Sequence, residues 1–443
     1  MATTKDPSSD RNLTWQNQTK EDHDDQKATV VETILSRPQF PDEIIHRIIQ
    51  VLPTKSAVRM SSLSKKFQGA WLSQPVLDFD EGNPHDDTTD NNIHHTKFVN
   101  ILDKYLDYFH EDEKVKQQLL DKFRVRMTNF SDSDFTMVDE LLSLAVRRSV
   151  KELDMSIGGD KHAALYCLTL KNPLSLAKSI TTLSLENVTI DAEECKSIIF
   201  PSLKTMSLKT MRLSRSLISS CPSIEYLTLS SSSMRDGSAP FLVSNSNLKS
   251  LEVTYCDFQH VAVVKTNLLE SFTFVSESYV RLISLSECRN LISLSILAQH
   301  LQYLYITECG HSVKATISSP NLHYIQFTGF SKYKHSIEAQ NLARVKITIR
   351  HEELNVNEPW EHSSLLRDFL ESFASFSGEI VLNIDYVEAQ ALIFPEDFRN
   401  AVSPPLPSLK HLKIIIMSPI WAGNSELMDS LTWIAPSAEI KEM

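Results

Sequence analysis

Apolar and polar residues alternate in short bursts along most of this chain, and the bursts recur. In Leu301-Gln-Tyr-Leu304-Tyr-Ile306-Thr-Glu-Cys309 the aliphatic side chains occupy the first, fourth and sixth places and a small thiol the ninth. Alternation sends Leu304 and Ile306 to one side of an extended strand and Tyr303, Tyr305 and Thr307 to the other, and the terminal thiol can bond the backbone of the following turn. A single strand of this kind leaves its apolar side in water, whereas copies stacked in register bury it. The anchor at the fourth place falls at Phe123, Leu153 and Leu183, thirty residues apart, then at Met206, Leu227, Leu251 and Phe272, at gaps of 23, 21, 24 and 21. The longer units leave room for a helix between strands, and Met137 to Val146 supplies an apolar stripe for one; the shorter units hold only a tight turn or a second strand.

A period in the twenties with this pattern resembles the leucine-rich-repeat solenoid, so the expected fold is α/β, a curved coil with a parallel concave sheet. Between Phe272 and Ile325 the candidate anchors Ile283, Leu294 and Leu304 stand only 11, 11 and 10 residues apart, half of one unit. Short strands on both faces would explain the halving, and Val313 to Ile317 suggests one. Because Phe272 and Leu304 are 32 residues apart, a slip of phase is also expected there. Beyond Ile325 and Val345 the units lengthen to Leu382 and Leu412. Leu365 to Phe373 reads as an intervening helix, Glu379 stands where a core leucine belongs, and Leu427 to Ile434 reads as a closing helix.

Ahead of the repeats the pattern is helical. Pro41 suits a first turn, Asp42 and Glu43 suit its positive end, Ile44, Ile45, Ile48 and Leu52 form a stripe, and Pro53 stops the helix. Further helices run through Ser56 to Met60 and Leu63 to Trp71. Three such helices make too small a core to be secure alone, and a partner surface would complete it.

These residues, Pro41-x-Glu43-Ile44 to Leu52-Pro53, then Val58, Leu63-Ser64 and an aromatic-ended third helix, followed by Leu77-Asp78-Phe79-Asp80, resemble the F-box of plant F-box/leucine-rich-repeat proteins. The resemblance implies docking on the Skp adaptor of an SCF ubiquitin ligase, and through it to a cullin. The residues implied at that contact are Pro41, Glu43, Ile44, Ile48, Leu52, Pro53, Val58, Leu63, Ser64 and Phe67. Phe40 stands where leucine is usual and Phe67 where tryptophan is usual. A helical cap over the open end of the coil is the alternative for the same segment.

The expected domains are an acidic, disordered tail over 1–36, the F-box over 37–80, a breaker-rich linker over 81–97 and the solenoid over 98–435, entered by a helix from Phe98. A formal net charge of -12 argues against general binding of nucleic acid or anionic membrane. The absence of a long apolar run or an apolar leader points to the cytoplasm or nucleus. Six cysteines spread singly, with no C-x-x-C, suggest reduced thiols, and nine glycines in the whole chain include no phosphate-binding or nucleophile-elbow motif. His85, His94 and His95 sit near acids but lack ligand spacing, so no metal site and no cofactor are expected.

The residues flanking each anchor face out of the core. Early units offer small ones, such as Thr182, Ser184, Thr205 and Ser207; later ones offer Tyr303, Tyr305, Tyr324, Arg344 and Lys346. Tyrosine and arginine concentrate binding energy, so these five form the expected client surface, with an ordinary exposed strand face as the competing reading. The leading expectation is a non-enzymatic substrate-recognition subunit of an SCF-type ligase whose repeats hold a protein client. The alternatives are a scaffold or regulator with a degenerate F-box, and an enzyme built on His162, Cys167 or His351.

Overall fold

Pro41 opens the first helix. Its carbonyl accepts the amides of Ile44 (2.9 Å) and Ile45 (3.1 Å), and Asp42 and Glu43 lie in the positive first turn of α1 (Asp42–Val51). Leu52, which precedes Pro53, is extended and ends the helix, as steric clash with a following proline ring requires. In the computed structural model the described residues are 40–52, 54–82, 91–111, 119–158, 166–168, 178–190, 200–213, 221–235, 240–310, 313–328, 334–349, 359–384, 392–416 and 424–442. The expected tail, Pro53, residues 83–90 of the expected linker, His162 and His351 lie outside them. The chain divides after Gln74 into two units.

The first unit is helical. Ile45 and Ile49, four apart on α1, are buried, and α1 and α2 (Thr54–Ser61) both pack on α3 (Lys65–Leu72), which buries Ala70, Trp71 and Leu72. Ser64 caps α3 by accepting the Phe67 amide at 3.4 Å.

The second unit is a coil of parallel strands. It opens with β1 (Val76–Asp80), α4 (Asn91–Glu111), β2 (Lys122–Met127), α5 (Phe135–Arg147) and β3 (Glu152–Ile157). Among the described residues strands follow: β4 (Tyr166–Leu168), β5 (Thr182–Glu186), β6 (Val188–Ile190), β7 (Thr205–Lys209), β8 (Arg212–Leu213), β9 (Tyr226–Ser230) and β10 (Ser233–Met234). They continue through β11 (Phe241–Val243), β12 (Ser250–Thr254), β13 (His260–Val264), β14 (Ser271–Ser276), β15 (Leu282–Ser286) and β16 (Ser293–Ala298), then β17 (Tyr303–Thr307), β18 (Lys314–Ser318), β19 (Tyr324–Thr328), β20 (Lys334–Glu338) and β21 (Arg344–Ile349). Helices return at the end, with α6 (Pro359–Glu371), β22 (Glu379–Ile384), α7 (Glu396–Ala401), β23 (His411–Ile416), α8 (Ser425–Ile434) and β24 (Glu439–Glu442).

These strands form two large sheets. The first runs β1-β2-β3-β5-β7-β9-β12-β14-β16-β18-β20 and the second β11-β13-β15-β17-β19-β21-β22-β23-β24. From β11 to β21 each turn of the coil gives one strand to each sheet, and the apolar sides of both are buried. At the front, helices take the place of the second sheet, as in the contact of Tyr105 on α4 with Phe79 on β1 (ring centroids 5.3 Å apart). At the back, helices replace the first sheet, and Phe369 on α6 meets Phe327 on β19 edge-on at 5.6 Å.

The halved spacing therefore has a simple cause, and the expected phase slip does not occur. Phe272 pairs with Leu294 in the first sheet, and Ile283 pairs with Leu304 in the second, so two regular ladders are interleaved in sequence. Val76–Asp80, at the end of the expected F-box, forms the opening strand of the first sheet, in register with β2 from Val76↔Lys122. Two further expectations are corrected. The entry helix begins at Asn91, not at Phe98, because His95 is anchored between carboxylates of neighbouring turns. Finally, Val345 pairs with Ile380, not with Leu382: the run Glu379-Ile-Val-Leu-Asn-Ile384 has aliphatics at alternate positions, and pairing with β21 selects among them.

The turns repeat as faithfully as the strands. The residue after each of β5, β7, β9, β12, β13, β15 and β17 (Asn187, Thr210, Ser231, Tyr255, Lys265, Glu287 and Glu308) has a φ between 49° and 57°. This left-handed step bends the chain while its amide bonds a carbonyl of the next turn, as with Tyr255 to Val275 (2.7 Å) and Glu287 to Thr307 (3.0 Å). Two residues past each strand, Cys256, Cys288 and Cys309 place buried thiols against strand-end carbonyls at 3.5 to 3.6 Å, the turn-bonding role their place in the repeat predicts. No described helix is long and apolar enough to cross a membrane.

Candidate functional site

Two surfaces, one in each unit, carry the residues singled out from the sequence. On the helical unit Pro41, Glu43, Ile44, Leu63 and Ser64 are exposed, and Ile48, Leu52, Val58 and Phe67 are half-buried. Since α1 turns Ile45 and Ile49 inward, Ile44 and Ile48 on the flanking positions are left at the surface. Leu63, in the turn before α3, is 68% exposed, and Phe40 is 56% exposed. Sequence reasoning missed Val51, which at 81% is the most exposed large aliphatic among the described residues. Its signal was available: it lies seven residues after Ile44, two helical turns along the same side. A unit this small with four large apolar side chains in water has an incomplete core.

The second surface is the outward side of the second sheet. Alternation along the strands puts Leu304 and Ile306 inside and leaves Tyr303 and Tyr305 half-buried outside, and the register then aligns two outward rows. One runs Leu282, Tyr303, Tyr324, Arg344, Glu379, His411 and Glu439; the other runs Ser284, Tyr305, Gln326, Lys346, Val381, Lys413 and Lys441. All five residues expected at a client surface thus lie on neighbouring strands of this one sheet. Thr182, Ser184, Thr205 and Ser207 lie on the first sheet, so the single wall expected to hold both sets is in fact two. Sequence spacing alone could not separate them, because both sheets use the same alternation.

The tyrosines touch. Tyr324 lies with ring centroids 6.5 Å from Tyr303 and 5.5 Å from Tyr305, and its hydroxyl donates to Gln326 at 3.0 Å. Arg281, the residue before β15, sets its guanidinium 5.7 Å from the Tyr303 ring centre. Burial first, and then the Tyr305 hydroxyl, push the Tyr324 pKa up against the pull of Arg344, so the Tyr324 hydroxyl stays protonated at physiological pH. Beyond it the charges are paired: Glu379 accepts from Arg344 and from Lys413 (2.7 Å), and Glu439 meets Lys441 at 3.0 Å.

The first sheet has a different surface. At its start Arg124 bridges Asp78 (3.1 Å) and Asp154 (3.4 Å), Lys122 meets Glu152 at 3.4 Å, and Lys209 meets Glu186 at 2.6 Å. These pairs sit across neighbouring strands and satisfy one another. Near the front of the coil His95 on α4 lies 3.0 Å from Glu81 and 3.1 Å from Asp134, joining the end of β1 to the turn that leads into α5. Glu81 also accepts the amides of Thr128 (2.5 Å) and Asn129 (3.2 Å) and the Asn129 side-chain amide (3.0 Å), which makes it a structural anchor. Cys256 is equally structural; burial pushes its pKa up to about 11, far from the range of a nucleophile.

Comparison with known proteins agrees with this division. Residues 38–79 match the F-box domain, and residues 138–320 match the repeats described as those of FBD-associated F-box protein At5g56370. Among curated relatives from Arabidopsis thaliana, F-box/FBD/LRR-repeat protein At5g22700 is 31% identical over 195 residues, which is 43% of this chain and 40% of the relative. FBD-associated F-box protein At5g22730 is 30% identical over 201 residues, 43% of this chain and 38% of the relative, and F-box/LRR-repeat protein 13 is 25% identical over 245 residues, 54% of this chain and 46% of the relative. Each match spans less than half the length of the relative. This chain's helical unit and its parallel repeats are thus each similar to a part of plant F-box/leucine-rich-repeat proteins.

Proposed function

We propose that this chain is the substrate-recognition subunit of an SCF-type ubiquitin ligase. The helical unit holds a Skp adaptor, and through it a cullin, while the repeats hold a protein client. The observation that supports the adaptor contact is the group of exposed apolar side chains Phe40, Ile44, Val51 and Leu63 on a unit whose own core is small. Pro41, Glu43, Ile48, Leu52, Pro53, Val58, Ser64 and Phe67 complete the contact in this reading. The chain itself performs no chemistry: it raises the effective concentration of a client lysine near a charged conjugating enzyme. Its place of action is the cytoplasm or nucleus.

Co-purification of the tagged full chain with a Skp adaptor and cullin tests this. The expected result is recovery of both subunits, lost in a variant carrying Ile44→Asp and Leu63→Asp whose repeats still melt cooperatively. Recovery of neither by the unmodified chain would favour a scaffold with a degenerate F-box.

A further inference from the structure

The outward side of the second sheet is unusual in an acidic chain. At the outward positions of β13, β15, β17, β19 and β21 there is no aspartate or glutamate; they hold His260, Ala262, Leu282, Ser284, the three tyrosines, Gln326, Arg344 and Lys346 among others. The formal net charge of the whole chain is -12, and the outward side of the first sheet carries Asp78, Glu152, Asp154, Glu186 and Glu252. The carboxylate-free face is therefore local, not a reflection of composition.

Its cations divide into two kinds. Arg344 and Lys413 neutralise Glu379, and Lys441 neutralises Glu439. Arg281 and Lys346 have no carboxylate partner among the described residues: Arg281 meets only the Tyr303 ring, and Lys346 aligns with Gln326 on one side and Val381 on the other. Between these two unpaired cations lie Tyr303, Tyr324 and Tyr305. Half-buried rings present flat apolar area at little cost in side-chain order, and unpaired cations on either side attract opposite charge.

We infer that this face is a docking surface for a short acidic segment of a protein client, with an aromatic or large aliphatic side chain lying on the tyrosines and a carboxylate at each end meeting Arg281 and Lys346. The inference rests on the reading of the repeats as the client-binding part, and adds which sheet is used and what chemistry it takes. Three strand spacings across and three residues along separate the two cations, about 17 Å. That span fits roughly five residues of extended chain. Because side chains alternate along extended chain, the carboxylates are expected an even number of residues apart, about four once the reach of the arginine, lysine and glutamate side chains is added, and the interaction weakens with salt.

The test is a fluorescence anisotropy titration of the purified full chain with labelled ten-residue peptides. The probe has two glutamates four residues apart with a phenylalanine midway, all three on one side of extended chain; one control replaces the glutamates with lysines and another the phenylalanine with serine. The probe is expected to bind at least tenfold more tightly than the lysine control, and more tightly than the serine control. The pair Arg281→Gln and Lys346→Gln should remove most of that preference, whereas Lys314→Gln on the first sheet leaves it intact. Each substitution is at a surface position, and a thermal melt confirms the fold. No binding of the probe, equal binding of the lysine control, or indifference to the paired substitution would overturn the inference. The adaptor contact is judged separately by co-purification, so failure there does not mimic failure here.

Discussion

Arg344 and Glu379 stand directly opposite one another on β21 and β22, and the guanidinium donates to the carboxylate. Lys413 reaches the same carboxylate from β23, at 2.7 Å. Lys413 first, and Arg344 with it, hold the Glu379 carboxyl below the usual range against its partial burial. The repeat pattern casts Glu379 as a failed core leucine; in the sheet it is an outward residue with two partners, and its neighbour Ile380 is the wall residue, fully buried.

This register predicts unequal costs for two adjacent substitutions. Glu379→Ala breaks surface pairs and is expected to lower stability by less than about 1 kcal/mol. Ile380→Ala empties part of the core and is expected to cost about 2–5 kcal/mol. Midpoints of denaturant unfolding measure both, and a larger loss at Glu379 would contradict the register.

Glu81 predicts acid sensitivity at the front of the coil. Burial by itself would raise its pKa; hydrogen bonds from the Asn129 side chain, the Thr128 amide, His95 and the Asn129 amide outweigh burial and hold it below the ordinary 4.5. A carboxyl whose folded-state pKa is depressed contributes stability that is present above the unfolded value and lost as pH falls through the folded one. Unfolding is therefore expected to become easier below about pH 4.5, with a weaker acid dependence in Glu81→Gln. The same variant is expected to lose about 1–3 kcal/mol at neutral pH, since a neutral amide is a poorer acceptor for these donors. Melts between neutral and acid pH distinguish these outcomes from no change.

Tyr105 supplies the alkaline counterpart. It is wholly buried on α4, its hydroxyl accepts from Arg148 at 2.9 Å, and desolvation pushes its pKa up to about 12 despite that guanidinium. The raised value means that the folded chain keeps a proton the unfolded chain releases near pH 10, so this contribution is whole below about 10 and fades as pH climbs towards 12. Tyr105→Phe is expected to show less loss between these limits. It is also expected to be destabilised by about 1.5–3 kcal/mol at pH 7, through loss of a buried hydrogen bond to a charged group. Chemical denaturation of both proteins across that range is the check.

Thr210 carries strain that a smaller change can relieve. Its φ of 54° is left-handed, a region where a β-branched side chain crowds the backbone, and its amide is committed to Ser230 at 2.9 Å. Thr210→Asn, which tolerates this conformation, is expected to raise stability by roughly 0.5–1 kcal/mol. An unchanged or lowered melting temperature would argue against strain at this turn.

The alternation of side chains fixed most of the architecture in advance, because burial of every second residue is a local property that adjacent letters report. The strand anchors from Phe123 to Val345, the helices over Met137 to Val146 and Leu365 to Phe373, and the turn thiols Cys256, Cys288 and Cys309 all occupy the places the pattern indicates. Ile44 and Leu63, both exposed, were indicated by the resemblance to the F-box and not by helical spacing.

Tertiary structure alone decided which strands share a sheet. A strand reads the same whether it belongs to the first or the second ladder, so Phe272 and Ile283, eleven residues apart, cannot be assigned without the hydrogen-bonded neighbour. Pairing likewise chose Ile380 over Leu382, gave Arg344 its acid partner and left Arg281 and Lys346 without one among the described residues. Those outcomes depend on contacts between residues twenty or more apart in the chain, and no local pattern of apolar and polar letters contains them.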